Sequence, residues 1–402
     1  MLQKTRLFEL MHYRFKSTLC RSLCLLWCSH FILDFFTGIW PIYKTLFHID
    51  LAKAGILAGI SGFMGESLQL GFGYISDRGH RKVVMMLGLG LASSILWLTF
   101  TNHLFFSFCL LFLMMLGSSS FHPAAVGFAS KLSENHKGRY ILLFSSAGAI
   151  GLAVSQLTFT KTIAFFNGHA LIFYIPVLIL LTLLIFYPLD IKTETTPFSI
   201  KQALQLFLQH KRLLLPLYLI QIANVTLSAA FIFLLPDLMQ TKECHIWLCQ
   251  GGAHFCFILG GAVCMIITGY LCDRYNCKYV LLTVIISALF LFYSFLLQPS
   301  ILPWKTVIFL TCLGGMIRTM NPLVVSWANQ CLSEHPSTIS ALLMGSAWCI
   351  ANLGPTWAGL ISKTVSTQPI ISTLYIMSSL MVVAFFLVLT TPQGSTVKTI
   401  VD

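Results

Sequence analysis

The stretch GYISDRGHRK, Gly73–Lys82, returns in altered form as GYLCDRYNCK, Gly269–Lys278, with Asp77 and Asp273 lying 196 residues apart. Each copy follows one long apolar run and precedes another. A second pair keeps nearly the same offset. FHPAAVGFASKLSE contains Pro123, MNPLVVSWANQCLSE contains Pro322, and the two prolines are 199 residues apart. Two separate matches at nearly one offset argue for a duplicated half-chain.

The apolar runs around these loops set the fold class. The 402 residues are 57% hydrophobic and 9% charged, with a mean hydropathy of +0.83. A soluble domain carries about 25% charged residues, and a water-soluble fold of this composition would expose aggregating apolar patches. A membrane-spanning helix needs about 20 predominantly apolar residues. Twelve candidate spans are centred near residues 30, 64, 92, 115, 149, 178, 224, 261, 288, 315, 349 and 380. The polar stretch 190–212 divides them into six and six. The expected architecture is an all-α polytopic membrane protein, with an N-terminal six-helix bundle over 1–189, a cytoplasmic linker over 190–212 and a C-terminal six-helix bundle over 213–402.

With the N-terminus in the cytoplasm and alternating spans, eighteen lysines and arginines fall on the cytoplasmic side, six on the outer side, and Arg318 within a span. This bias obeys the positive-inside rule with both termini inside. The net charge of +12 is therefore mostly topology, and no nucleic-acid partner is expected. Residues 1–18 read as a cytoplasmic lead-in and not as a signal peptide, because no cleavage site follows an apolar core. The 13 cysteines are scattered, mostly in spans. Cys244 and Cys249 share an outer loop and can pair if that side is oxidising. His245 and His254 lie near them, but the spacing fits no standard zinc pattern, and no metal site or cofactor is expected.

Within the repeated loop, Gly73 and its counterpart Gly269 are expected to allow close helix approach. Asp77 and Asp273 sit at the membrane edge, where they can cap a helix or pair with arginine. Gly79 permits a tight turn, and Arg78, Arg81, Lys82 and Arg274 stay in the cytoplasm. A charged latch of this kind can hold one half against the other in one state and release it in another. The alternative is a plain turn carrying topogenic charge.

Twelve spans, a central loop and G-x-x-x-D-R-G-x-R-K after the second span resemble the major facilitator superfamily across essentially the whole chain. In the second half Gly79 and Arg81 are replaced by Asn276 and Lys278, so a weaker latch is expected there. Within that superfamily, three stretches resemble the fosmidomycin-resistance type of efflux transporter: SHFILD, Ser29–Asp34, with WPIY, Trp40–Tyr43; GSSSFHP, Gly117–Pro123; and KGRYILLFSSAGAIG, Lys137–Gly151. The resemblance implies export of a drug or organic anion driven by proton entry, from the cell (inner) membrane. It also implies that spans 1 and 4 line a central cavity, which would bring His30, Asp34 and His122 into one neighbourhood. Glu66 and Arg318 depart from the small or apolar residues expected at their positions, which bears on the substrate more than on the fold.

Ionisable residues inside spans are costly and are functional-site candidates by default. His30 and Asp34 are four residues apart and share a helix face. Asp34 is the expected proton carrier, tuned by His30 and His122. A structural hydrogen bond is the other reading for each histidine. His122 precedes Pro123, which removes a backbone donor and can hinge a helix. Glu66 is a second proton site or a packed neutral acid, with Gln69 one turn on. Arg318 cannot lose its charge. It must face water, a carboxylate or an anionic substrate, and pairing with Glu66 is the alternative. Arg318, Gln69 and Asn321 are the expected substrate contacts.

These residues point to a secondary transporter exporting a small, anionic compound in exchange for protons, acting as a monomer in the lipid bilayer. Uptake or exchange of an organic anion or phosphorylated metabolite is the alternative on the same fold. No HExxH, GxSxG or paired catalytic aspartates occur, which disfavours an enzyme. A transport-inactive receptor or scaffold would need more soluble chain than this sequence offers.

Overall fold

A bilayer supplies no water to the backbone, so a chain that crosses it must satisfy its N–H and C=O groups within each segment or in a closed barrel. The computed structural model describes residues 2–129, 137–187, 200–298, 302–332, 339 and 341–392, and among these every regular element is helical. Among the described residues nine helices are long and apolar enough to cross a membrane, and the chain is an integral multi-pass membrane protein.

The first helix, α1 (Leu2–Thr37), is followed directly by α2 (Trp40–Leu46). The expected lead-in 1–18 is therefore helical from Leu2 and continuous with the first span. Next come α3 (Leu51–Ser67), α4 (Gln69–Ile75) and, past Ser76–His80, α5 (Arg81–Ala92). The whole apolar element Leu51–Phe100 has 50 residues. As a straight helix it would be about 75 Å long, against a hydrocarbon core of about 30 Å. It is broken at Gly79, whose φ of 97° is a left-handed conformation open to glycine. One element thus carries the span centres expected near 64 and 92.

The first half continues with α6 (Leu104–Ala129), α7 (Lys137–Phe165) and α8 (Tyr174–Phe186). Of the expected linker, residues 190–199 lie outside the described residues, and α9 (Ile200–Gln209) is helical. Beyond it run α10 (Lys211–Thr241), α11 (Ala253–Arg274), α12 (Cys277–Leu297) and α13 (Pro303–Cys331). The last elements are α14 (Ala347–Ala351), α15 (Gly354–Thr364) and α16 (Pro369–Thr390). Two expected span centres, near 178 and 349, fall on short or jointed elements: the apolar helix Leu171–Phe186, and the α14–α15 pair with its turn at Asn352 and Leu353.

The sequence repeat recurs as repeated contacts. The Arg78 guanidinium lies 4.4 Å over the Tyr74 ring, and Arg274 lies 4.4 Å over Tyr270. Lys82 Nζ donates to the Ile185 and Tyr187 carbonyls at 2.9 and 3.3 Å, closing the end of α8. Lys278 Nζ donates to the Leu389 and Thr391 carbonyls at 2.9 and 2.7 Å, closing the end of α16. These contacts correct the sequence register. Lys278 takes the place of Lys82 and not of Arg81; the residues opposite Gly79 and Arg81 are Tyr275 and Cys277. Pro123 and Pro322 both sit inside helices, α6 and α13.

The halves meet at the end remote from Asp77. There α3 packs on α15, α7 on α11, and α2 on α10. The approach of α3 needs glycine. A Cβ on Gly55 would overlap the Pro355 carbonyl, and one on Gly59 would overlap Thr356 Oγ1. This small-xxx-small spacing is a common device for close helix contact in membranes. Thr356 Oγ1 then donates to the Gly55 carbonyl at 3.0 Å. Only Pro123 approaches a Cβ on Gly73, at 3.6 Å, and nothing lies within 4 Å of one on Gly269. Among the described residues, close helix approach between the halves is made at Gly55 and Gly59.

An ion pair joins the halves at the closed end. Lys44 of α2, 0% exposed, donates to Asp237 Oδ2 of α10 and to Thr45 Oγ1. Thr45 Oγ1 donates to Asp237 Oδ1 at 3.0 Å, and the ammonium lies 4.6 Å from the Phe233 ring centroid. Removing one partner of a buried pair strands the other and costs about 3–5 kcal/mol, whereas replacing both with apolar residues is often neutral. Lys44→Met is therefore expected to lower the melting temperature of the detergent-solubilised protein, and Lys44→Met/Asp237→Leu to recover most of the loss. A double variant no more stable than the single one would show that the pair adds nothing to the closed end.

Candidate functional site

Asp34 lies on α1, one turn beyond His30, and His122 reaches it from α6. Asp34 Oδ2 is 3.3 Å from His30 Nε2, and Asp34 Oδ1 is 3.3 Å from His122 Nε2. Each histidine is fixed by its other nitrogen. His30 Nδ1 is 2.8 Å from the Phe144 carbonyl, and its ring stacks on Phe144 at 3.9 Å. His122 Nδ1 is 2.9 Å from the Ser118 carbonyl, with Ser118 Oγ at 3.2 Å. A carbonyl only accepts, so each Nδ1 carries the hydrogen and each Nε2 is aimed at the carboxylate.

A glycine makes the room. A Cβ on Gly148 of α7 would stand 2.5 Å from His30 Nε2 and would overlap Asp34 Oδ2. Nothing in the residues around Asp34 signalled this. The small-residue run SSAGAIG was visible in the sequence, but which of its glycines faces α1 is a matter of helix rotation.

Glu66, half-buried near the end of α3, is close enough to His122 and Asp34 to interact with both electrostatically. Gln69 does not follow it on an unbroken helix. The turn at Leu68 separates α3 from α4, and Gln69 is directed toward Gly345, where a Cβ would lie 3.9 Å from its Oε1. From the other half, Arg318 of α13 lies across Gly261 of α11, where a Cβ would be 2.6 Å from Arg318 Cδ. Arg318 interacts electrostatically with Asp34. No carboxylate among the described residues pairs with it, Glu66 included, and its Nε is buried without a hydrogen bond. Asn321, one turn on, accepts through Oδ1 from Gln221 Nε2 of α10. Gln221 Oε1 and Asn224 Oδ1 are buried without partners. Sequence reasoning missed both α10 amides, since polar residues in a span carry no mark of which helix they meet.

The loop motif carries an ion pair within its first copy. Asp77 Oδ1 accepts from Arg81 Nη2 at 2.7 Å, and Arg81, 2% exposed, also donates to the Gly127 carbonyl at the end of α6 at 3.3 Å. Among the described residues, the ion pair and the hydrogen bonds of this latch lie within the first half. In the second copy Asp273 is exposed and forms no ion pair among the described residues. The residue opposite Arg81 is Cys277, bonded to Cys272. The pairing raised for Cys244 and Cys249 does not form: both are free, and Cys249 Sγ points at the Cys244 carbonyl at 3.4 Å. Burial pushes the Cys244 thiol up, which leaves less thiolate for exchange. His254 is turned away from that loop, with Nε2 2.8 Å from the Leu152 carbonyl. The one His/Cys/Asp/Glu cluster within metal-binding reach among the described residues is His30, Asp34 and His122.

Residues 23–245 match the Major Facilitator Superfamily. No curated protein matches the chain in sequence. Three solved structures are similar over nearly their whole lengths. The nucleoside transporter NupG is 14% identical, with a TM-score of 0.75 covering 93% of this chain and 99% of that one. A bacterial homologue of the human lysosomal transporter Spinster, inward-facing and unoccupied, is 15% identical, with a TM-score of 0.68 over 94% and 98%. The E. coli fucose:proton symporter FucP is 14% identical, with a TM-score of 0.62 over 94% and 100%. At these identities the likeness shows the fold alone.

The cradle around Asp34 can be tested by filling it. Overpacking a well-filled interior costs about 1–3 kcal/mol, so Gly148→Ala is expected to lower the melting temperature. Gly90→Ala, where nothing lies within 4 Å, should leave it unchanged or raise it, since alanine gains up to about 1 kcal/mol over glycine in a helix. Equal shifts in the two variants would mean that position 148 has space to spare.

Proposed function

The chain belongs to the Major Facilitator Superfamily, and from that premise we propose that it is a proton-coupled exporter of a small organic anion, working by alternating access. The observation that carries this reading is Asp34 held between His30 and His122, with Arg318 interacting with it from the other half. A carboxylate inside a helix bundle that gains a proton in one exposure and loses it in the other couples proton movement to the swing of the halves. Glu66 is a second proton site in this scheme. Arg318, with Asn321 and Gln69, forms the anion contact; a guanidinium keeps its charge and offers a planar fork to a carboxylate or phosphate.

The rest of the reading follows the sequence. Twelve spans form two six-helix halves, 1–189 and 213–402, with both termini in the cytoplasm of the cell that carries the protein in its inner membrane. It acts as a monomer. Export is favoured over uptake by the likeness of SHFILD and FHP to the fosmidomycin-resistance type. The Asp77–Arg81 latch braces the first half during the swing.

Reconstituted vesicles with an imposed pH gradient test the scheme. Asp34→Asn mimics the neutral acid. It is expected to exchange substrate across the membrane and to lose accumulation against a gradient. Full proton-driven accumulation by that variant would move the carrier role to Glu66.

Substrate recognition is tested separately by binding. Arg318→Ala is expected to weaken binding of an anionic substrate about 10-fold or more, in line with the loss of a charged hydrogen bond. Arg318→Lys should restore only part of it. Unchanged binding in Arg318→Ala would leave the arginine a structural role.

A further inference from the structure

The two histidines beside Asp34 aim both of their remaining ring nitrogens at one carboxylate. Both Nδ1 atoms are committed to backbone carbonyls, at 2.8 Å to Phe144 and 2.9 Å to Ser118. In a neutral imidazole the other nitrogen then carries a lone pair and no hydrogen. Both lone pairs point at the same carboxylate, 3.3 Å from its oxygens. Two lone pairs facing an anion repel it unless a proton or a metal ion stands among them.

We infer that His30 Nε2, His122 Nε2 and the Asp34 carboxylate form a binding site for a divalent first-row transition cation of the zinc, cobalt or nickel type. Four features favour it. Ligand atoms from all three residues lie within 4.8 Å of one another. The two 3.3 Å separations run to different oxygens of Asp34, His30 Nε2 to Oδ2 and His122 Nε2 to Oδ1, so each carboxylate oxygen faces one imidazole donor. Metal-binding histidines characteristically donate their other ring N–H to a carbonyl or carboxylate, as both do here. Gly148 keeps the space beside Asp34 and His30 free of side chain.

The surrounding charges allow a divalent ion. Glu66 interacts with Asp34 and His122, and Arg318 interacts with Asp34. Two carboxylates thus stand against one guanidinium. The donor set also selects. Two imidazoles and one carboxylate suit zinc, cobalt or nickel, whereas calcium and magnesium require oxygen ligands in greater number. Three protein ligands leave coordination positions for water or an anion.

Cation ligation here depends on the placement of three donors and not on proton coupling, so it is tested without a gradient or a substrate. The purified full chain in detergent, titrated with Zn2+ and separately with Co2+ by calorimetry, is expected to bind one ion per chain tightly, with Mg2+ not competing. Asp34→Asn, and the double variant His30→Ala/His122→Ala, should each weaken that binding about 100-fold or more. Both retain all 13 cysteines, so the difference isolates this site. X-ray absorption at the zinc edge of the unmodified protein adds a readout that needs no variant: nitrogen and oxygen neighbours, with imidazole scattering and no sulfur, are expected. Sulfur in the coordination shell, an affinity unchanged in either variant, or no tight binding to the unmodified chain would each overturn the inference. Failure of the proton-coupled transport scheme would leave these results untouched.

Discussion

A charge inside a bilayer must find a counter-charge, a dipole or water, and the polar architecture of this protein follows from that constraint. Lys44 satisfies it with Asp237 and Thr45 from within the closed end of the molecule. Asp34 satisfies it with two imidazoles that are themselves held by main-chain carbonyls. Arg318 satisfies it least: its Nε has no hydrogen bond, and its electrostatic partner Asp34 lies in the other half. The first pair ties the halves together. The second centre stays within one half, and the third is left with capacity for something else.

The helix packing arranges these groups by depth. α3 and α15 touch where Gly55 and Gly59 remove the side chains between them. Along the same face of α3 come Gly55, Gly59, Gly62 and then Glu66. The small residues that close one end therefore give way to a carboxylate at the level of Asp34 and His122. Close helix contact and the Lys44–Asp237 pair join one end, and the carboxylates and imidazoles stand beyond it.

The two halves share a plan and differ in detail. Arg78 and Arg274 stack on tyrosines in the same way, and Lys82 and Lys278 each close the last turn of a helix of their own half. The Asp77–Arg81 pair has no such counterpart, because Cys277 stands opposite Arg81. The imidazole and carboxylate groups of the candidate site come from the first half, and Arg318, Asn321 and Gln221 come from the second.

Much of this was legible in the sequence. Composition and the length of the apolar runs determined a helical membrane protein, since backbone polarity in a bilayer leaves few other solutions. The spacing of Asp77 and Asp273 determined the repeat, and the i, i+4 relation determined that His30 and Asp34 share a face. Sequence resemblance brought His122 to them. Tertiary structure alone decided the rest. That Lys44 meets Asp237, that Gly148 makes room for Asp34, that Gln221 holds Asn321, and that Arg318 is not paired with Glu66 all depend on how each helix is rotated about its axis and how deeply it is set. Helical periodicity constrains neighbours on one helix. It is silent about partners on another, because the packing that chooses them is a property of the whole bundle.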